Sequence, residues 1–250
     1  MQRRVARSAG YGAIAGGALL IAMAEPALAQ NVTIGFGEGS GVTERAIQLI
    51  ALITVLSLAP SILVMVTSFT RIIVVLSLLR TAIGIQQSPP NSVMMSLALF
   101  LTAFVMAPVF QQSYDAAIKP LINDEIELNQ AFEKASKPFH GFMLHHVREK
   151  DLGLFLDLAG GEQPKTQEDV SLRVLVPAFM ISELKRAFEI GFLLFVPFIV
   201  IDMVVASVLM SMGMMMLPPV IISLPFKLIF FVLVDGWHLV AGSLVQSYGV

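Results

Sequence analysis

Ser182-Glu183-Leu184-Lys185 stands in the S-x-x-K order that sets a lysine beside a nucleophilic serine in one class of acyl-transfer enzymes. Neither companion motif of those hydrolases, S-D-N or K-T-G, occurs in the chain. The run reads better as a helix surface, where Glu183 reaches Arg186 at i+3 and Lys185 reaches Glu189 at i+4. His140, His145 and His146 could offer imidazoles to a metal, but the H-E-x-x-H arrangement is missing and His146 shares an apolar stripe. Paired carboxylates such as Asp124-Glu125 look like solvated surface. Cysteine is absent from all 250 residues, which removes disulfides, thiolate metal sites and a cysteine nucleophile together. No catalytic constellation survives, and no cofactor motif either.

Charges within apolar sequence are more informative. Gly191 to Val234 holds only two, Asp202 and Lys227. A lone charge in hydrocarbon costs about 2.5–3.5 kcal/mol on insertion scales, so one that persists usually has a partner or a wet path. The midpoint between the two falls in the Gly213–Met216 turn, so antiparallel helices meeting there hold both at similar depth. They are expected to pair, within the hairpin or between neighbouring copies. The alternative is that each caps a helix near the headgroups without meeting the other.

The turn between them is the sharpest local signal. Met210, Met212, Met214, Met215 and Met216 are five of seven consecutive residues, with Gly213 among them and Pro218-Pro219 just after. Methionine is unbranched and polarizable, and it repacks against irregular surfaces at little cost. A turn that only connects two helices is more cheaply built from polar residues. A greasy, deformable one suggests packing against copies of itself, as a seal that closes around nothing or around a moving chain. The bland reading is lipid-facing or core filler.

These residues need a scaffold, and the composition says which. Hydrophobic residues make up 56% of the chain and charged ones 14%, with mean hydropathy +0.80; an ordinary soluble domain carries roughly 25% charged residues. The expectation is an all-α, multi-helix membrane protein of bent helical hairpins with a small helical extracytoplasmic insertion. A net charge of −2 gives no basic excess for nucleic acid. Arg3, Arg4 and Arg7 precede the uncharged run Ala9–Ala24, and Pro26 then leads to Ala27-Leu28-Ala29. That is the layout of a signal peptide cut between Ala29 and Gln30. The rival is a retained first helix, which at about 16 residues is short for a ~30 Å hydrocarbon core.

After the glycine-rich lead-in 35–41, four regions follow from the apolar pattern: 1–29 a cleaved signal, 30–110 a first hairpin region, 111–183 a hydrophilic insertion, and 184–250 a second hairpin. Ala46–Phe69 is an uncharged run long enough to span. Ile72–Leu79, between Arg71 and Arg80, is too short to span alone, and the breaker Gln86-Gln87-Ser88-Pro89-Pro90-Asn91 precedes the apolar run Ser92–Phe110. Within the insertion, Phe139, Phe142, Met143, His146 and Val147 make one helical stripe, started by Ser136 with Pro138. Gly160-Gly161 ends the next helix, and Thr166 with Asp169 resembles a capping box. Arg71 and Arg80 place the first hairpin loop in the cytoplasm, and the acidic insertion and the mature N-terminus outside. Trp237 and Tyr248 sit where interface aromatics are expected.

Three blocks carry a resemblance to a known family. They are Thr67-Ser68-Phe69-Thr70-Arg71 through Leu79-Arg80 with Gly84-Ile85-Gln86-Gln87-Ser88-Pro89-Pro90-Asn91; Pro177-Ala178-Phe179-Met180-Ile181-Ser182-Glu183-Leu184-Lys185-Arg186-Ala187-Phe188-Glu189-Ile190-Gly191-Phe192; and Met212-Gly213-Met214-Met215-Met216-Leu217-Pro218-Pro219 onward to Asp235-Gly236-Trp237. The chain resembles the FliP family of type III export-gate proteins, closer to its flagellar than to its virulence branch; Ser92 departs from the glutamine expected after Pro-Pro-Asn. The resemblance implies an inner-membrane, multi-pass subunit of the flagellar basal body. It implies a pentamer-like ring assembled with two smaller membrane proteins, near a large export-apparatus membrane protein, inside the basal-body ring. Unfolded rod, hook and filament subunits would pass through the centre. Carried over by position, the five methionines form the closing gasket, and Glu183, Lys185, Arg186 and Glu189 belong to polar contacts between subunits. No nucleotide or other cofactor is implied. A solute or proton transporter with Asp202 and Lys227 as a relay is the competing class, and it predicts internal repeats that the two hairpins lack.

Overall fold

The computed structural model describes residues 42–85, 87–160, 164, 166–214 and 216–249. The expected signal segment, its Ala29–Gln30 cleavage site and the glycine-rich lead-in lie outside the described residues, as does Met215. The chain divides into two compact units, Met1–Thr54 and Val55–Val250. The described part of the first, from Val42, is helix.

The fold is all-helical, as expected for an all-α membrane protein. Helix α1 (Val42–Val66) gives way to α2 (Phe69–Ile83) across Thr67-Ser68. The Thr67 hydroxyl donates to Leu63 O at 2.7 Å and the Thr70 hydroxyl to Val64 O at 2.9 Å. Those hydroxyls take carbonyls that the end of α1 leaves without helical partners. Helix α2 buries Ile72, Val75, Leu76, Leu79 and Ile83 along one stripe and stops on Gly84, whose φ of 91° is the left-handed conformation that glycine adopts without a Cβ penalty.

Helix α3 (Asn91–Ser113) continues through a π-helical turn (Tyr114–Ile118) into the short α4 (Lys119–Ile122). The insertion follows as α5 (Leu128–His146), α6 (Glu149–Ala159) and a 3-10 turn (Gln167–Asp169). Helix α5 begins eight residues before Ser136 and carries Pro138 in its interior, so the proline does not start it. Its stripe lies as expected, with Met143 and His146 buried. Gly160 caps α6 at φ 64°, and Asp169 accepts from both the Thr166 amide and hydroxyl, although only the 3-10 turn follows that box.

Helix α7 (Leu172–Ser211) runs 40 residues without a break despite Pro177 and Pro197. At 1.5 Å per residue it is about 60 Å long, roughly twice a hydrocarbon core. Its first half carries Arg173, Glu183, Lys185, Arg186 and Glu189 and its second half only Asp202, so the second half is the one suited to lipid. The expected boundary between 183 and 184 falls inside this helix. Helix α8 (Pro219–Leu233) turns back, and α9 (Gly236–Gln246) follows after a 63° bend at Asp235, itself left-handed at φ 48°.

Helices α2 and α7 run parallel, with Arg71 beside Glu183 and Leu78 against Gly191. A Cβ at Gly191 would collide with Leu78, so glycine sets their separation. Small residues allow such close approach where lipid is as apolar as the side chains and burial alone gives little drive. Among the described residues three helical stretches are long and apolar enough to cross a bilayer, Leu49–Val66, Asn91–Ile122 and Leu172–Ser211, and the bent pair α8–α9 makes a fourth if it counts as one span.

Candidate functional site

The methionine turn is built by the end of α7. Gly213 adopts φ 74°, its amide donates to Met210 O at 3.0 Å, and the Met214 amide donates to Leu209 O at 3.0 Å. This is the Schellman arrangement, which satisfies the last helical carbonyls and needs a residue tolerant of the left-handed region. Pro219 opens α8 at a position where its missing N–H costs nothing. Met210 and Met212 are exposed, Met216 is 98% exposed, and Met214 is half-buried. The turn thus ends the α7–α8 hairpin in a set of flexible apolar side chains with little of the chain's own structure to cover them.

Behind the turn lies the charged pair. Lys227 Nζ stands 2.6 Å from Asp202 Oδ2, with Lys227 buried and Asp202 partly open. Ser223 Oγ donates to Asp202 Oδ1, and Lys227 Nζ donates to Ala82 O at 3.3 Å. The two residues therefore meet within one hairpin, and the lysine also ties α8 to the end of α2. The pair borders a cavity of about 370 Å³ whose walls include Arg80, Phe195, Phe198, Ile199 and Val220.

A second buried network lies at the opposite end of α2. Arg71 is 1% exposed and Glu183 0%. The guanidinium forks onto the carboxylate, Nη2 to Oε1 and Nε to Oε2, the latter at 2.9 Å. Arg71 Nη1 also donates to Ser247 Oγ at 3.0 Å and Ser247 O at 3.3 Å. The Tyr248 hydroxyl donates to Glu183 Oε2, and its ring lies under the guanidinium, 3.8 Å from Cζ to centroid. Such a fork with added hydrogen bonds is the geometry in which a buried ion pair can offset its desolvation. Burial pushes the Tyr248 phenol far above its ordinary value, and the neighbouring Glu183 charge adds to the rise.

The insertion packs on this network. Phe142 stacks on Tyr248 at 5.9 Å, and the His146 ring is 5.1 Å from it. His146 Nδ1 lies 2.8 Å from Phe142 O, and His140 Nε2 lies 2.7 Å from Val170 O. Burial holds His146 below its ordinary 6.5. Next along α7, the Ser182 hydroxyl donates to Asp151 Oδ2 at 2.6 Å while accepting from the Arg148 amide at 3.1 Å. Arg148 forks onto the same carboxylate. Burial alone would raise Asp151, but the bonds from Ser182 and Arg148 outweigh it and hold the carboxyl below 3.8.

Several expectations change here. Glu183 does not reach Arg186 on a helix surface; it points inward, because Arg71 supplies the counter-charge that lets it leave water. It is an inter-helix contact within one chain rather than a free subunit surface. Ser182 is likewise buried, serving as a structural bridge to Asp151. Arg71 cannot count as a loop charge for orientation, since it is buried beside the insertion while Arg80 lies at the other end of α2. Tyr248 is packed under Arg71 and is no interface aromatic; Trp237 remains partly exposed against Phe231. Lys185 and Glu189 do meet, at 3.6 Å on the exposed face. Arg186 Nε is buried without a hydrogen-bond partner among the described residues.

Arg71, Tyr248, Arg148 and Asp151 were missed as a site. One signal pointed to the ion pair: Glu183 sits at i+4 from Phe179 and i−4 from Ala187, on a face otherwise apolar.

Residues 52–244 match a model described as the FliP family. The chain is 68% identical over 227 residues to the flagellar biosynthetic protein FliP of Caulobacter vibrioides, across 90% of this chain and 85% of that one. The Bacillus subtilis protein of the same name is 55% identical over 202 residues, 81% of this chain and 91% of that one. The one from Aquifex aeolicus is 48% identical over 232 residues, 92% and 97% respectively.

Proposed function

The chain belongs to the FliP family, and from that premise we propose that it is a membrane subunit of the flagellar type III protein export gate, forming with its copies the channel through which unfolded flagellar subunits are secreted. The observation that carries this reading is the methionine turn. Exposed methionines crown a hairpin whose two arms are pinned by the Lys227–Asp202 pair. Copies arranged in a pentamer-like ring, with the smaller export-gate membrane proteins, bring these turns together at the axis. Met210, Met212, Met214, Met215 and Met216 then make a pliant gasket that repacks around an extended chain and closes behind it. The subunit sits in the inner membrane at the flagellar basal body, beside the large export-apparatus membrane protein, with insertion and mature N-terminus on the periplasmic side. The insertion's charged surface and the short apolar stripe of α5 support a wet location for it.

The fixed part of each subunit is the α2–α7 pair, welded by Arg71–Glu183 and Gly191. A seal must move against something rigid, and the buried ionic ends of α2 supply that. Replacing Met214, Met215 and Met216 with alanine thins the seal without touching either network. Cells carrying the assembled variant should leak ions or small solutes across the membrane, read as a fall in membrane potential or as uptake of a normally excluded solute. An intact barrier with altered uptake of one particular solute would point to a transporter and against a gate.

A further inference from the structure

We infer that the cavity beside Arg80 is a binding site for the phosphate of an anionic phospholipid. Arg80 closes the α2 end of that 370 Å³ cavity, with Phe195, Phe198, Ile199 and Val220 as apolar walls and Lys227 and Asp202 behind. Two cations against one carboxylate leave the lining with a charge of +1. Asp202 is already engaged by Lys227 and Ser223, so the surplus belongs to Arg80. Among the described residues the guanidinium of Arg80 has only neutral acceptors, Asn91 Oδ1 at 2.6 Å and Pro89 O at 3.3 Å, and both take the same nitrogen, Nη1. No carboxylate pairs with it among the described residues.

An arginine with donors unspent, at the edge of a cavity walled on one side by Phe195, Phe198, Ile199 and Val220, is matched by a group that is anionic, planar-forked in its acceptors and attached to hydrocarbon. A phosphodiester meets all three conditions, since guanidinium and phosphate form paired N–H···O bonds. Its acyl chain runs along the two phenylalanines while the phosphate stands on Arg80. Basic pockets between membrane helices take anionic headgroups on this principle. The bound lipid wedges α2 against the α7–α8 hairpin just behind the methionine turn, at the level of the Lys227–Ala82 bond.

The purified full chain in detergent, offered equal phosphatidylglycerol and phosphatidylcholine, should retain the anionic lipid preferentially in native mass spectra. Arg80→Gln should abolish that preference, about a tenfold loss, since hydrogen bonds to a charged group are the stronger kind. Arg80→Lys should keep part of it. Asn91→Ala removes the structural acceptor yet leaves the cation, so it should retain the preference. That variant separates a ligand site from a fold contact. Equal retention of the two lipids, or a preference unmoved by Arg80→Gln, overturns the inference. So does full displacement by soluble glycerol phosphate, which would make the site one for a free anion.

Discussion

Replacing Glu183 with alanine strands the Arg71 guanidinium, 1% exposed, with only Ser247 and the Tyr248 ring for company. Nε and Nη2 of Arg71 lose their acceptor at once, and the Tyr248 hydroxyl is left with the longer contact to Ser68 O at 3.4 Å. Removing one partner of a buried pair leaves an uncompensated charge and costs about 3–5 kcal/mol. For a chain of this size each kcal/mol moves a thermal midpoint by about 2–4 °C, so the expected loss is about 6–20 °C. Arg71→Met should cost a similar amount by stranding the carboxylate. The double variant Arg71→Met with Glu183→Leu removes both charges, and should lose clearly less than the two single changes together. The assay is thermal unfolding of purified protein in one detergent, followed by helical circular dichroism. Losses under about 1 kcal/mol for each single change are what an exposed pair gives. That result, or strict additivity in the double variant, would refute the buried weld and with it the rigid α2–α7 frame.

Reversing Asp202→Lys or Lys227→Asp alone sets two like charges together where Lys227 is buried and should abolish assembly; the double reversal should restore part of it, read by copurification of the complex. The Asp151 contribution depends on pH in a definite direction. Its carboxyl is held below 3.8 when folded, so the stability it adds is present above that value and is lost as pH falls through the folded one. The gap in thermal midpoint between the unsubstituted chain and Asp151→Asn should be full at neutral pH and shrink only in acid below about pH 4. His146 acts earlier: held below 6.5 by burial, it withdraws stability as pH falls under 6.5, and His146→Gln should flatten the midpoint there.

The sequence disclosed what depended on local pattern. Uncharged runs marked the long apolar helices, the Gly213 and Pro218-Pro219 signals marked the hairpin, and the symmetry of Asp202 and Lys227 about it anticipated that they meet. It failed where partners lie far apart in the chain. Glu183 looked like surface because Lys185 and Arg186 follow it, and nothing near it names Arg71, 112 positions away. Tyr248 looked like a headgroup aromatic because tyrosine is common there, while its partner Ser68 is 180 positions upstream. Pro138 read as a helix start because proline is favoured in a first turn. Helix α5 instead starts at Leu128 and carries the proline in its interior. Helix α7 likewise carries Pro177 and Pro197 in its interior, and its 40 residues run across the change in charge density at 183.

The chain has no cysteine, so a single Met216→Cys introduces a unique thiol at the tip of the hairpin. If the methionine turns converge at the axis of an assembled gate, mild oxidation of that complex should give disulfide-linked pairs of copies in high yield. The same change at the exposed Leu193 of α7, away from the turn, should give none. Free labelling of the hairpin-tip thiol by a soluble maleimide, with no linked pairs in the intact assembly, would contradict the gasket directly.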